Sequence, residues 1–306
     1  MNAASTQSPV AVIGLGSMGY GMAVSLRRKG FAVSAFDVRP DVAASFAKEH
    51  GGKACGSVKD AAAGAAIAVI VVVNADQTED VLFGSGGLAD ALPKGALVMS
   101  CATMDPERAR ALAKAAEAKG LLYLDSPISG GAQRAAQGEL TVLASGSPAA
   151  MSKAEPALAA MAAKVYRLGD EAGIGASFKM INQLLAGVHI AAASEALVLA
   201  RRLGLDIAKV YEVITASAGN SWMFENRMPH VLEGDYTPRS AVDIFTKDLG
   251  IINDMSRGSK FPTPIASAAL QMFLMTAAAG MGKDDDASVA RLYAQITGVE
   301  LPARKA

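Results

Sequence analysis

The stretch Gly14-Leu15-Gly16-Ser17-Met18-Gly19 constrains the fold of this chain more than any other. The β-branched run Val10-Ala11-Val12-Ile13 precedes it and reads as a buried strand. Met22 to Lys29 follows and reads as a helix, with cations in its last turn and Gly30 placed to cap it. Strand, glycine turn and helix opening together make an anion cradle: N–H groups and the helix dipole face a pyrophosphate, and the missing side chains let it approach. Glycines also mark ordinary turns, so the motif alone is weak. Here a second strand, Phe31 to Phe36, ends in Asp37, 23 residues past Gly14. A carboxylate there can accept hydrogen bonds from a ribose diol. Its charge repels a 2′-phosphate, which favours NAD over NADP. Arg39 works the other way, since a cation two residues on could meet that phosphate; it could equally be a loop cation or a lid on the adenine. Leu15, Ser17, Met18 and Val38 complete the expected cofactor contacts.

The chain has 306 residues, enough for a sizeable core and two domains. Lysine plus arginine and aspartate plus glutamate each number 29, so the net charge is zero. Nothing in that balance suggests a nucleic-acid or anionic-membrane surface. Cys55 and Cys101 make neither a disulfide framework nor a C-x-x-C pair. Met1 to Pro9 lacks the basic and apolar regions of a secretory signal and reads as a frayed tail. Two stretches are uncharged, Met180 to Ser194 and Pro264 to Gly282, but each carries polar residues, among them Asn182, Gln183 and His189 in the first. A spanning helix wants about 20 strongly apolar residues, so both read as buried helices of a soluble, cytoplasmic protein.

Residues 1–170 alternate strand and helix patterns. Ile67 to Val73, Ala96 to Cys101, Leu121 to Leu124 and Leu140 to Ala144 are strand-length apolar runs; Asp105 to Lys119 and Met151 to Ala163 read as helices. The expectation is α/β: a Rossmann-type, doubly wound parallel sheet covered on both faces. Ligands in such sheets bind beyond the carboxyl ends of the strands, which draws in Asn74, Thr103 and the turn after Leu124. Residues 171–306 read as an all-α domain. A long helix, Ala176 to Arg202, joins the halves and could line a cleft between them; further helical patterns cover Asp206 to Ser217, Ala241 to Ser256, Ile265 to Ala278 and Ala287 to Thr297.

Several residues could carry chemistry. Ser129, Gly130 and Gly131 in Asp125-Ser126-Pro127-Ile128-Ser129-Gly130-Gly131 offer a hydroxyl and unshielded N–H groups that suit a carboxylate, although a plain turn would look the same. Lys179 and Asn182 are three apart and share a helix face. Alcohol oxidation needs a group that takes the hydroxyl proton as hydride leaves, and a buried lysine can do so; a solvated lysine near a helix start is the plainer reading. His189 reads as a core histidine, Lys247-Asp248 as a surface pair, Trp222 as core, and Asp284-Asp285-Asp286 as a solvated loop capping the next helix rather than a metal site.

Taken together, these motifs resemble the β-hydroxyacid dehydrogenases, which include 3-hydroxyisobutyrate dehydrogenase, tartronate semialdehyde reductase and relatives of 6-phosphogluconate dehydrogenase. The resemblance spans nearly the whole chain. Gly14 to Gly19 looks like the family's cofactor motif, Asp125 to Gly131 like its D-x-P-x-S-G-G, Gly173-Ile174-Gly175 through Lys179 and Asn182 like its G-x-G-x-x-x-K-x-x-N, and Lys247-Asp248-Leu249 like its K-D-L. The resemblance implies that Lys179 is the catalytic acid/base, assisted by Asn182. It also implies that Ser129, Gly130 and Gly131 receive the substrate carboxylate and that Lys247 closes over substrate and cofactor. Thr103 matches a threonine near the nicotinamide, but Ala102 stands where the family often has serine. Asn182 to Leu197 and Gly219 to Arg227 look most like the branch that oxidises L-threonate, with NAD as cofactor and a homodimer or homotetramer as the assembly. Ser221, Asn226 or His189 could supply a polyhydroxy acid with further hydrogen bonds. The rivals are a tartronate semialdehyde (2-hydroxy-3-oxopropionate) reductase, a 3-hydroxyisobutyrate dehydrogenase, and a noncatalytic dinucleotide-binding scaffold. The presence of Lys179 and Asn182 argues against the last.

Overall fold

The computed structural model describes residues 8–304, so the first seven residues of the expected N-terminal tail lie outside the description. The chain divides into two compact units between Lys179 and Met180.

The first unit opens with β1 (Val10–Ile13), α1 (Gly19–Arg28), β2 (Val33–Phe36), α2 (Pro40–His50), β3 (Lys53–Ala54) and α3 (Val58–Ala62). It continues with β4 (Ile67–Ile70), α4 (Ala75–Phe83), α5 (Leu88–Ala91), β5 (Leu97–Ser100), α6 (Pro106–Ala118) and β6 (Leu122–Asp125). Then come β7 (Ile128–Ser129), α7 (Gly131–Gln137), β8 (Leu140–Ser145), α8 (Pro148–Met161) and β9 (Ala162–Gly169), leading to the first turns of α9 (Ile174–Arg202). The strands pair in the order β3-β2-β1-β4-β5-β6-β8-β7, with β9 beside β8. Strand β1 lies between β2 and β4, all parallel, the arrangement of a doubly wound sheet. Its four residues are all buried because helices cover both faces. Val10 and Val12 pack with Met22 and Leu26 of α1 and Phe46 of α2. Ala11 and Ile13 pack on the other face with Leu82 of α4 and Leu112 of α6.

The register is what positions a site. Ile13 stands opposite Phe36 and Ile70, Ile70 opposite Ser100, and Ser100 opposite Asp125. Five strands therefore end in line and deliver Gly14, Asp37, Val71, Cys101 and Ser126 to one edge. The sheet is not parallel throughout, since β8 runs antiparallel to β6 and β7. The ten residues between Ser129 and Leu140 fall short of the dozen or more that a parallel crossover takes. The helix expected to reach Ala163 stops at Met161, and the chain continues directly into β9, whose largely exposed pattern shows no apolar run.

Helices α1 and α7 are clamped together. Ser25 Oγ donates to the carbonyl of Ala135 at 2.8 Å, and Arg28 donates to those of Ala136 at 2.9 Å and Gln137 at 2.6 Å. A Cβ at Gly21 would lie 2.6 Å from the Ala136 nitrogen, so only glycine allows this approach.

The second unit is helical among the described residues: the rest of α9, then α10 (Ile207–Thr215), α11 (Trp222–Glu233), α12 (Val242–Gly258), α13 (Pro264–Thr276) and α14 (Val289–Thr297). Met180 and Ile190 of α9 pack with Phe245 and Leu249 of α12 and Phe273 of α13; Leu197 packs with Phe224 and Met228 of α11. Helix α11 is absent from the sequence reading. It starts where Ser221 Oγ accepts the Phe224 N–H, and ends at Gly234 in the left-handed region. Trp222, expected in the core, is 53% exposed.

The acidic triplet also differs from expectation. Asp285 does cap the short turn that follows, but Asp285 and Asp286 are fully buried. Asp284 pairs with Arg291 at 2.6 Å, Asp285 with His230 at 2.8 Å, and Asp286 with Arg227 at 2.6 Å. Burial pushes the Asp286 carboxyl up to about 6, while Arg227 pulls it back. The helical segments that carry the two uncharged stretches, Ile174–Arg202 and Pro264–Met281, are long and apolar enough to cross a membrane by length and composition. Half of the most apolar window of α9 is buried, but only a third of that in Pro264–Met281.

Candidate active site

The glycine turn is built by three different constraints. Gly14 has φ +94°, and a Cβ there would sit 2.4 Å from the Val71 carbonyl oxygen; at Gly19 it would sit 1.9 Å from the Gly14 carbonyl oxygen. Gly14 donates its N–H to the Phe36 carbonyl at 2.8 Å. At Gly16 an added Cβ would meet no protein atom within 4 Å. Packing does not require glycine at that position, whereas the approach of a pyrophosphate does. Helix α1 begins without a side-chain cap or an acidic residue in its first turn, leaving its positive end to an anion. These residues fit a dinucleotide.

Asp37 does more than the sequence suggests. Its Oδ2 accepts the Leu15 N–H at 2.7 Å, which ties β2 to the glycine turn, and its Oδ1 accepts the Arg39 N–H at 2.9 Å and Nε–H at 3.1 Å. Burial pushes the carboxyl up, but the Arg39 side chain and the two backbone donors outweigh it, holding Asp37 below the usual carboxylate range. A carboxylate has about four acceptor positions, so room for a ribose hydroxyl remains on Oδ2. Arg39 is therefore anchored to Asp37, and Val38 beside it is 86% exposed. Asn74 caps α4 by accepting the Gln77 N–H at 2.9 Å, while Thr103 lies half-buried in the loop between β5 and α6.

At the other end of the same edge, Ser129 closes β7, and Gly130 and Gly131 have φ of +138° and +76°. A Cβ on Gly131 would meet nothing within 4 Å, so this turn too presents unshielded backbone. Asp125, the first residue of that motif, points away from such a role. It is 2% exposed and accepts hydrogen bonds from Gly173, Ala176 and Ser145. Lys179 is 7% exposed, unlike the solvated lysine of the plainer reading.

In the second unit, Asn182 donates to Gln183 Oε1 at 2.9 Å, Gln183 donates to Asp248 Oδ2 at 2.5 Å, and Lys247 is paired with the other oxygen of Asp248. Asp248 is buried rather than part of a surface pair, and Lys247 lies well inside α12. Gln183 escapes a reading focused on charges, although it lies four residues past Lys179 on the same face of α9 and is as deeply buried. The Ser221 hydroxyl is used in capping α11, His189 is half-buried, and Asn226 is exposed.

Residues 9–169 match the model of the NAD-binding domain of 6-phosphogluconate dehydrogenase, and residues 173–293 match that of the NAD-binding domain of NADP-dependent 3-hydroxyisobutyrate dehydrogenase. The chain belongs to the 3-hydroxyisobutyrate dehydrogenase-like family. Like other β-hydroxyacid dehydrogenases, it is an oxidoreductase acting on CH–OH with a nicotinamide dinucleotide. An L-threonate dehydrogenase of Cupriavidus necator is 54% identical over 96% of this chain and 98% of its own. One from Escherichia coli K12 is 48% identical over 97% of each chain. The crystal structure of a 3-hydroxyisobutyrate dehydrogenase from Salmonella typhimurium superposes with a TM-score of 0.89 at 48% identity, covering 94% of this chain and all of the other.

Proposed function

We propose that this β-hydroxyacid dehydrogenase oxidises the C2 hydroxyl of L-threonate to 2-dehydro-L-erythronate with NAD. The substrate rests on identity of about half, over almost the full length, to relatives that carry this activity. The chemistry rests on Lys179, a buried amine of the kind that can take a hydroxyl proton. Ser129, Gly130 and Gly131 receive the substrate carboxylate through a hydroxyl and backbone N–H groups. Lys179 takes the C2 hydroxyl proton as the C2 hydride leaves, so the alcohol becomes a ketone by loss of one proton to the amine and one hydride, a proton with two electrons, to the nicotinamide; in reverse the lysine returns its proton to the carbonyl oxygen. Asn182 assists at that proton, and Lys247 holds the anionic ligands. Gly14 to Gly19, Asp37, Val38, Arg39, Asn74 and Thr103 hold the dinucleotide, whose nicotinamide accepts hydride when bound. The Asp37 carboxylate favours a ribose 2′-hydroxyl over a 2′-phosphate, because Arg39 already serves Asp37. We place the enzyme in the cytoplasm as a homodimer or homotetramer.

A panel of L-threonate, D-glycerate and 3-hydroxyisobutyrate, each with NAD and NADP, tests the reading. The highest kcat/KM is expected for L-threonate with NAD. Far faster turnover of either smaller acid removes the substrate assignment, and equal efficiency with NADP removes the cofactor preference. Lys179→Ala is expected to lower kcat by about 10²–10⁴ with NAD affinity retained.

A further inference from the structure

We infer that Asp125 is a positioning residue: its buried carboxylate holds the first turn of α9, and through it Lys179, in fixed relation to the Ser129-Gly130-Gly131 turn. The inference rests on the reading of Lys179 as the proton acceptor.

The first N–H groups of a helix have no partner within the helix and are ordinarily capped by a side chain just before it. In α9 the partners come from the sheet. Asp125 Oδ2 accepts the N–H groups of Gly173 and Ala176, both at 2.9 Å, and the Ser145 hydroxyl at 3.3 Å. Ser145 Oγ in turn accepts the Gly175 N–H at 2.9 Å. Three donors at the helix start thus end on neighbouring side chains of β6 and β8. Glycine makes the approach possible: a Cβ on Gly175 would lie 2.3 Å from the Leu143 carbonyl oxygen and 3.2 Å from Asp125 Oδ2. A Cβ on Gly173 would press on the Pro106 carbonyl oxygen at 2.9 Å, at a φ of +92°. The two glycines of G-x-G seat the helix end against β6 and β8, and Lys179 follows Gly175 by about one turn.

The main chain of Asp125 is tied to the other half of the machinery. It is the last residue of β6, opposite Ser145 in the register, and four residues before Ser129. The next residue, Ser126, donates its N–H to the Ser100 carbonyl at 2.8 Å. One residue therefore fixes the carboxylate-receiving turn by its backbone and the lysine-bearing helix by its side chain. Burying this carboxylate has a cost: burial pushes it up to about 6 against the pull of its three donors. An ordinary cap in the chain before α9 would satisfy the helix without that cost. What the distant carboxylate adds is a set distance between two groups that must meet one substrate, where misplacement by about 1 Å can cost about 10²-fold.

The test is a double-mutant cycle on the full-length enzyme with L-threonate and NAD. Asp125→Ala, Asp125→Asn and Ser145→Ala are each made alone and with Lys179→Ala. Asp125→Ala is expected to lower kcat by about 30–100-fold and leave the NAD Kd within about twofold. In the Lys179→Ala background the same change is expected to cost less than about threefold, because the group it positions is already gone. Should Asp125→Ala fail to fold, the milder variants carry the test, with losses of about 5–20-fold alone and the same collapse of the effect beside Lys179→Ala. Equal losses in both backgrounds, or an unchanged kcat, overturn the inference. An active Lys179→Ala enzyme overturns the proton-acceptor reading and this inference with it. If the wild type ignores L-threonate, only the substrate assignment fails, and the cycle is run with the acid that it does oxidise.

Discussion

Gly14 and Gly16 look alike in the sequence and differ in what requires them. Gly14→Ala meets the Val71 carbonyl and an unfavourable φ, so it should destabilise the fold and lower the thermal midpoint. Gly16→Ala has open space around it, so it should leave the midpoint unchanged and weaken NAD binding, read by calorimetric titration. Asp125 should show in the pH dependence of stability. Burial raises its carboxyl to about 6 in the folded chain, so its contribution is complete below the unfolded value of about 4 and is lost as pH rises through about 6. The melting temperature of wild type relative to Asp125→Asn should accordingly fall across that window. Asp286 is as buried and depends on Arg227; Arg227→Leu should cost about 3–5 kcal/mol in denaturant unfolding by leaving that carboxylate unpaired. None of this burial was legible locally, since Arg227 and Asp286 lie 59 residues apart and three successive aspartates read as a solvated loop.

Elements were legible in proportion to the regularity of their apolar pattern. β1, β4, β5 and β6 are short runs of buried residues, and α9 is long and nearly free of charge, so composition alone outlines them. β9 reads poorly because Lys164, Tyr166 and Arg167 are exposed on it, and α11 because Pro229 interrupts its pattern. The strand-length apolar signals could not reveal that β8 runs against β6 and β7, because an apolar run carries no direction. The network joining α9 to α12 was invisible for a similar reason: Gln183 and Asp248 are 65 residues apart, and an amide announces no charge. Gln183→Leu removes the donor to one oxygen of the buried Asp248, leaving Lys247 on the other. Unfolding should become easier by about 1–3 kcal/mol, measured by denaturant titration.

On the scale of the whole molecule, a mostly parallel α/β half followed by a helical half opening with a long helix was readable from the alternation of patterns, whereas elements without a regular apolar run, such as β9 and α11, were not. Neither was the face that α13 leaves uncovered. Ile265, Leu274 and Met275 are exposed, although the sequence reads this stretch as buried. A homo-oligomer would cover them, so sedimentation should give a mass at least twice that of one chain, and Leu274→Asp should lower it. The clamp between α1 and α7 has its own consequence. Ser25 and Arg28 sit on the helix that opens at the glycine turn and grip the far end of the helix that follows the Ser129-Gly130-Gly131 loop, which we propose receives the acid. Redesigning that first helix to accept a different coenzyme would shift the loop as well, so on the proposed roles taste for the nucleotide and taste for the acid are geared together and would have to be retuned as one.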